Sequence, residues 1–257
     1  MKNNSVVYEC SPNSSLDISV KKKNISYLSV NTTLKSVLFF DSNNEGKLPG
    51  ILLFSDWLGV SDFAFEKARS FVKEGFVVLV ADVYGDGKVA KDQKEAFELS
   101  SVYKNNRLLM RERANASFEE FKKLDVVKKN NISAVGYCFG GTVALELARD
   151  GADLKNVVVF HAGLDTPLEA VPGNFKPKVL ALHGADDPHV PTEQVLKFQE
   201  ELRKAKADWS FVSYGNSVHS FTNKKAGTDS SKGVAYNKLA DKRSWSVAIS
   251  FLKENIK

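Results

Sequence analysis

Cysteine is scarce in this 257-residue chain: Cys10 and Cys138 are the only two, too few for a disulfide framework. Their number fits a reducing compartment, and the reading from sequence is a cytoplasmic protein. Long apolar runs are also missing. None approaches the ~18 residues that a membrane span requires, and the opening stretch Met1 to Cys10 lacks the apolar segment of a secretory signal. Charge of one sign is not concentrated either. The net charge of +5 comes from lysines spread along the chain, with tight groups such as Lys21-Lys22-Lys23 and Lys128-Lys129 not interleaved with aromatics. No membrane or nucleic-acid partner is expected from such a pattern. No repeat of solenoid period occurs, and no linker divides the chain. The organisation expected is residues 1–24 as an N-terminal extension or edge segment and residues 25–257 as one domain.

What is present is an alternation of buried-strand and helix patterns. Apolar runs at Val37 to Asp41, Ile51 to Ser55, Val77 to Ala81, Ile132 to Gly136, Val157 to His161, Val179 to Leu182 and Phe211 to Tyr214 are the candidate strands. Their continuous hydrophobicity suits strands covered on both faces of a mostly parallel sheet. Helical patterns lie between them at Asp62 to Glu74, Glu95 to Lys104, Leu108 to Lys128, Thr142 to Asp150, Thr192 to Ala205 and Arg243 to Asn255. The fold class is therefore α/β, a single-domain, doubly wound sheet flanked by helices. Residues 6–41 carry polar interruptions that suggest antiparallel strands or a hairpin at the sheet edge. Residues 223–237 show no clear period and read as a surface loop.

The densest signal runs from Asn131 to Arg149. The apolar run Ile132-Ser133-Ala134-Val135 meets Gly136-Tyr137-Cys138-Phe139-Gly140-Gly141, and a helical pattern follows. This is the layout of a nucleophile elbow with cysteine where serine usually stands. Glycines flank the nucleophile because the strand before and the helix after pass within contact distance. The helix N-terminus favours a thiolate. The plainer reading, a small buried cysteine in the core, stands beside it.

A nucleophilic thiol needs a base, and histidine is the side chain suited to that near neutrality. His161 and His183 end strands, and His189 lies two residues from Asp187; His219, in a loop after the last candidate strand, has the position a base requires, with His183 as the alternative. The orienting acid belongs after the strand ending at Leu182, where Asp187 precedes Pro188 and is preferred over Asp186. Backbone N–H groups of Phe139, after the nucleophile, and of Trp57, in the loop Ser55 to Val60, are the candidate oxyanion donors. Asp56 beside Trp57 reads equally as a turn residue.

Taken in series, Asp56-Trp57-Leu58-Gly59, Asp82-Val83-Tyr84-Gly85-Asp86-Gly87, the cysteine elbow, His183 to Pro188 and His219-Ser220-Phe221-Thr222-Asn223 closely resemble the dienelactone hydrolase family, over roughly residues 25 to 255. The resemblance implies an α/β-hydrolase with a Cys138–His219–Asp187 triad that cleaves an enol-lactone or related ester through a thioester acyl-enzyme. It implies no metal and no organic cofactor, a small-molecule ester or lactone as partner, and a monomer or homodimer. It adds Asp56, Tyr84 and Ser220 as residues for thiol activation and the substrate pocket. In the family archetype a glutamate holds the resting thiol; Asp56 stands in that place, one methylene shorter. The archetype also binds a substrate carboxylate with two arginines, one after the Asp-x-Tyr segment and one four residues beyond the histidine. Here Gly85-Asp86-Gly87 and Asn223 occupy those places, so a neutral or differently anchored ester, lactone or thioester is expected. Arg107, Arg111 and Arg113 could replace the missing arginines, although their position in a helix reads as exposed charge. A thioesterase with the same triad, or a non-catalytic ligand-binding module, are the competing functional readings.

Overall fold

The computed structural model describes residues 18–254. Cys10 and most of the segment assigned to an N-terminal extension lie outside these residues. An eight-stranded sheet forms the centre, in the order β1-β2-β4-β3-β5-β6-β7-β8. Strands β1 (Val20–Ser29) and β2 (Thr32–Asp41) form the antiparallel hairpin at one edge, and β2 meets β4 (Val77–Ala81) antiparallel. All remaining neighbours are parallel: β3 (Leu48–Phe54), β5 (Val127–Tyr137), β6 (Asn156–Phe160), β7 (Lys178–Gly184) and β8 (Trp209–Tyr214).

Successive side chains of a strand point to opposite faces, and in this sheet both faces are apolar. Ile51 and Leu53 of β3 join Val78, Val80, Val135 and Leu180 under helices α1 (Asp62–Lys73) and α6 (Lys238–Glu254). Leu52 and Phe54 join Leu79, Ala134, Val157 and Val179 under α2 (Gln93–Asn105), α3 (Arg107–Lys123), α4 (Phe139–Arg149) and α5 (Thr192–Lys204). Double burial explains the unbroken apolar runs of β4 and β6. Edge strand β8 is less buried than these, with Ser210 and Ser213 exposed.

Two elements depart from the sequence pattern. The helix expected to reach Lys128 ends at Lys123, and β5 begins at Val127, five residues before the apolar run that opens at Ile132. Lys128, Lys129 and Asn130 are an exposed overhang of that strand, whose lysines imitate the basic last turn of a helix. Residues 223–237 contain two 3₁₀ turns, Lys224–Ala226 and Ser230–Lys232, and Val234 pairs with His219.

The chain leaves β3 toward β4 on one side and returns to β5 on the other, so β3 and β5 are adjacent while their connections diverge. Open α/β sheets hold ligands at such a switch point, beyond the carboxyl ends of the strands.

Candidate active site

Cys138 occupies the turn between β5 and α4, with φ 53° and ψ −120°. A side chain pays for that left-handed φ with strain, which persists only where the surroundings impose it. Here they do. A Cβ on Gly136 would collide with the Gly140 carbonyl, one on Gly140 with the Phe54 and Ser55 carbonyls, and one on Gly141 with Ala162. The Cys138 N–H donates to Phe160 O at 3.0 Å, tying the turn to β6.

His219 Nε2 lies 3.0 Å from Cys138 Sγ, and His219 Nδ1 lies 2.8 Å from Asp187 Oδ2. Asp187, three residues past the end of β7, has no exposed side-chain surface, and its other oxygen accepts the His189 N–H at 2.9 Å. Asp186, the competing aspartate, is exposed. The His219 loop is pinned by its own backbone: His219 N–H donates to Gly233 O, and Ala235 N–H donates to His219 O. Burial alone would lower the His219 imidazole; negative charge at Cys138, the bonds to Asp187 and Cys138, and the Asp187 charge outweigh it and raise it to about 10. The imidazole is held between a carboxylate and a sulfur, an environment that favours its protonated form.

Phe139 is the first residue of α4, where an N–H has no carbonyl four residues back. Among the described residues neither its N–H nor that of Trp57 finds an acceptor. Both residues line a cavity of about 1290 Å³ together with Cys138, His219, Asp56 and Ser220. Tyr84 does not line it. Its hydroxyl donates to Trp57 O at 2.9 Å and its ring stacks on Phe139, so it packs behind these two residues rather than lining the cavity. Asp56 accepts the Leu58 N–H at 3.0 Å and a long bond from Ser55 Oγ at 3.4 Å. Burial pushes its carboxyl up to about 6 against these bonds. No described hydrogen bond joins it to Cys138.

Three arginines read as exposed helical charge are in fact buried. Arg107 pairs with Asp165 at 2.8 Å, Arg111 with Glu146 at 2.8 Å, and Arg113 donates to Ser29 O and Thr32 Oγ1. Their partners come from α4, the segment after β6 and the β1–β2 hairpin. Of the three only Arg107 lines the cavity.

The pattern along the chain missed His161. It directly follows β6, beside Cys138, and its ring packs edge-on against His219 with centroids 5.3 Å apart. Nε2 bonds Thr222 Oγ1 at 2.8 Å, while Nδ1 has no partner among the described residues. Burial, then the neighbouring His219 and Lys67 charges, hold it well below the usual histidine range, so it is a neutral wall behind the His219 ring. Its place at the carboxyl end of a central strand was the available signal. On the other side of His219, the exposed His189 ring stands 5.2 Å away and lines the cavity.

Among the described residues no group of three or more His, Cys, Asp or Glu is arranged to hold a metal ion, and no helix is long and apolar enough to cross a membrane.

Comparison with known proteins agrees with this architecture. An uncharacterised protein of Caenorhabditis elegans is 35% identical over 148 residues, which cover 56% of this chain and 93% of that protein. The solved structure called m3DLH superposes with a TM-score of 0.88 at 35% identity, over 93% of this chain and 99% of its own. The dienelactone hydrolase-like promiscuous phosphotriesterase P91, from metagenomic libraries, superposes with a TM-score of 0.87 at 33% identity and the same coverage. The family model for dienelactone hydrolases matches residues 35–256. A mostly parallel α/β-hydrolase sheet and a match across nearly the whole described chain make this protein a member of the dienelactone hydrolase family, and so a hydrolase of the lactone and ester kind.

Proposed function

We propose that the protein hydrolyses small carboxylic esters or lactones through a thioester on Cys138. The observation that carries this reading is the continuous contact from sulfur to imidazole to carboxylate, at 3.0 and 2.8 Å, made by residues 138, 219 and 187. In the first half-reaction His219 Nε2 takes the Sγ proton as Sγ attacks the carbonyl carbon, and the carbonyl oxygen takes the electron pair. The N–H groups of the cavity-lining Phe139 and Trp57 donate to that oxygen, where preorganised donors act most strongly. Collapse breaks the carbon–oxygen ester bond, and the leaving alkoxide takes the proton from His219 Nε2. In the second half-reaction water gives a proton to His219 and attacks the thioester carbon, releasing the acid and the sulfur. Asp187 keeps Nε2 facing the sulfur throughout. Asp56, bonded to Leu58 and Ser55 rather than to the sulfur, contributes local charge, and proton transfer belongs to His219.

The similarity to P91 supports aryl phosphate triesters as secondary substrates, because sulfur attack on phosphorus would use the same donors. The test is turnover of para-nitrophenyl acetate by the wild type and by Cys138→Ala. Loss of a nucleophile from such a set lowers kcat by roughly 10⁴-fold or more. A Cys138→Ala variant that keeps its fold and its activity rejects the reading.

A further inference from the structure

The cavity around Cys138 is larger than a compact lactone needs. Its roughly 1290 Å³ exceeds the ~300–1,000 Å³ of ordinary small-molecule sites. The excess has a direction. Phe63, Lys67, Ser70 and Glu74 all line it, and their spacing of four, three and four residues is one stripe of α1. The stripe spans the helix, about 18 Å at 1.5 Å per residue. The opposite bank is the first turns of α6, with Asp241, Lys242 and Trp245, and the 3₁₀ turn at Lys224. A groove therefore runs from the sulfur along α1.

Three properties of the groove define what fits it. Its floor is fixed: Lys67 bridges to Asp241 at 3.6 Å and donates to Thr222 O at 3.3 Å. Its apolar surface is aromatic, from the half-buried rings of Phe63 and Trp245, each packed on its other side against Tyr137 and Phe71 respectively. Its charge is positive. With Lys67 paired to Asp241 and Glu74 to Lys253, the remaining charges that α1, α6 and the Lys224 turn bring to the lining are Lys73, Lys224, Lys225 and Lys242 against Asp62 and Glu66. The groove also leaves the sulfur on the His219 side, since Ser220, Thr222 and Lys224 follow that residue along its rim. The proton donor for the leaving oxygen sits at its mouth.

We propose that this groove binds the leaving-group half of the substrate, an elongated alcohol with a planar apolar body and an anionic far end. The proposal rests on the hydrolase reading above and adds the substrate class to it. Three acetate esters with matched phenolic leaving groups test it: phenyl acetate, biphenylyl acetate, and the biphenylyl ester carrying a carboxylate on the far ring. The wild type should show kcat/KM rising in that order, with the carboxylate's advantage shrinking as salt is added. Filling the groove with Ser70→Trp should lower the biphenyl-to-phenyl ratio. Reversing charge with Lys73→Glu and Lys242→Glu together should lower the carboxylate-to-neutral ratio roughly three- to tenfold. Equal kcat/KM for the three esters, or ratios that neither variant moves, overturns the proposal. Calorimetric binding of the carboxybiphenylol to Cys138→Ala separates the two readings. Binding that these substitutions weaken upholds the groove even if no ester is hydrolysed, whereas ester turnover with no such binding overturns the groove and leaves the hydrolase standing.

Discussion

At the scale of single residues, the site is shaped by what burial does to charge. Asp56 is held to about 6, above the ordinary carboxylate value near 4, because its carboxylate is desolvated and only two bonds compensate. The folded chain therefore binds a proton that the unfolded chain has released, and stability falls as pH rises from about 4 through 6. By linkage the penalty at neutral pH is on the order of 3 kcal/mol. Asp56→Asn keeps the acceptor and removes the charge. It should match the wild type at pH near 4 and exceed its stability by on the order of 1–3 kcal/mol near neutrality, read as urea midpoints at both pH values. An equal difference at the two pH values contradicts this. His219 has the same sign in a higher window: its raised value stabilises the fold fully below the ordinary histidine range, and that contribution fades as pH climbs from there toward 10.

At the scale of elements, a buried ion network ties the wall of the cavity to three helices. Arg149 of α4 makes two bonds of 2.8 Å to Glu201 of α5, one of 3.1 Å to Glu146, and one to Leu164 O. Glu146 also receives Arg111 of α3, and Glu201 the Ala170 N–H. These bonds fasten the irregular segment after β6, which carries Gly163 and Asp165 to the cavity. Arg149→Met leaves two buried carboxylates short of a cation, and should cost about 3–5 kcal/mol in chemical denaturation. A loss under about 1 kcal/mol would show that the network is not coupled as described. The strand and helix succession was legible because double burial leaves unbroken apolar runs, as in Val77 to Ala81 and Val157 to Phe160. The start of β5 and the fate of the α3 arginines were not. Lys128 and Lys129 carry no trace of the sheet they overhang, and an arginine's burial depends on partners 35 or more residues away, as Arg111 and Glu146 illustrate.

At the scale of the whole molecule, the fold brings three distant chain segments to one end of the sheet. Cys138, Asp187 and His219 could be read from sequence because each follows a strand and the elbow glycines flag the first. His161, Lys67 and the α1–α6 groove could not, since their meaning arises from which strands and helices become neighbours. The most direct measurement is intact-protein mass spectrometry of the wild type quenched during turnover of para-nitrophenyl acetate, with the modified peptide sequenced. A thioester mechanism predicts one added acetyl group per chain, located on Cys138, accumulating further in His219→Ala if that variant still acylates, and decaying as acetate is released. Steady hydrolysis with no adduct on Cys138, or with the acetyl on another residue, would contradict it.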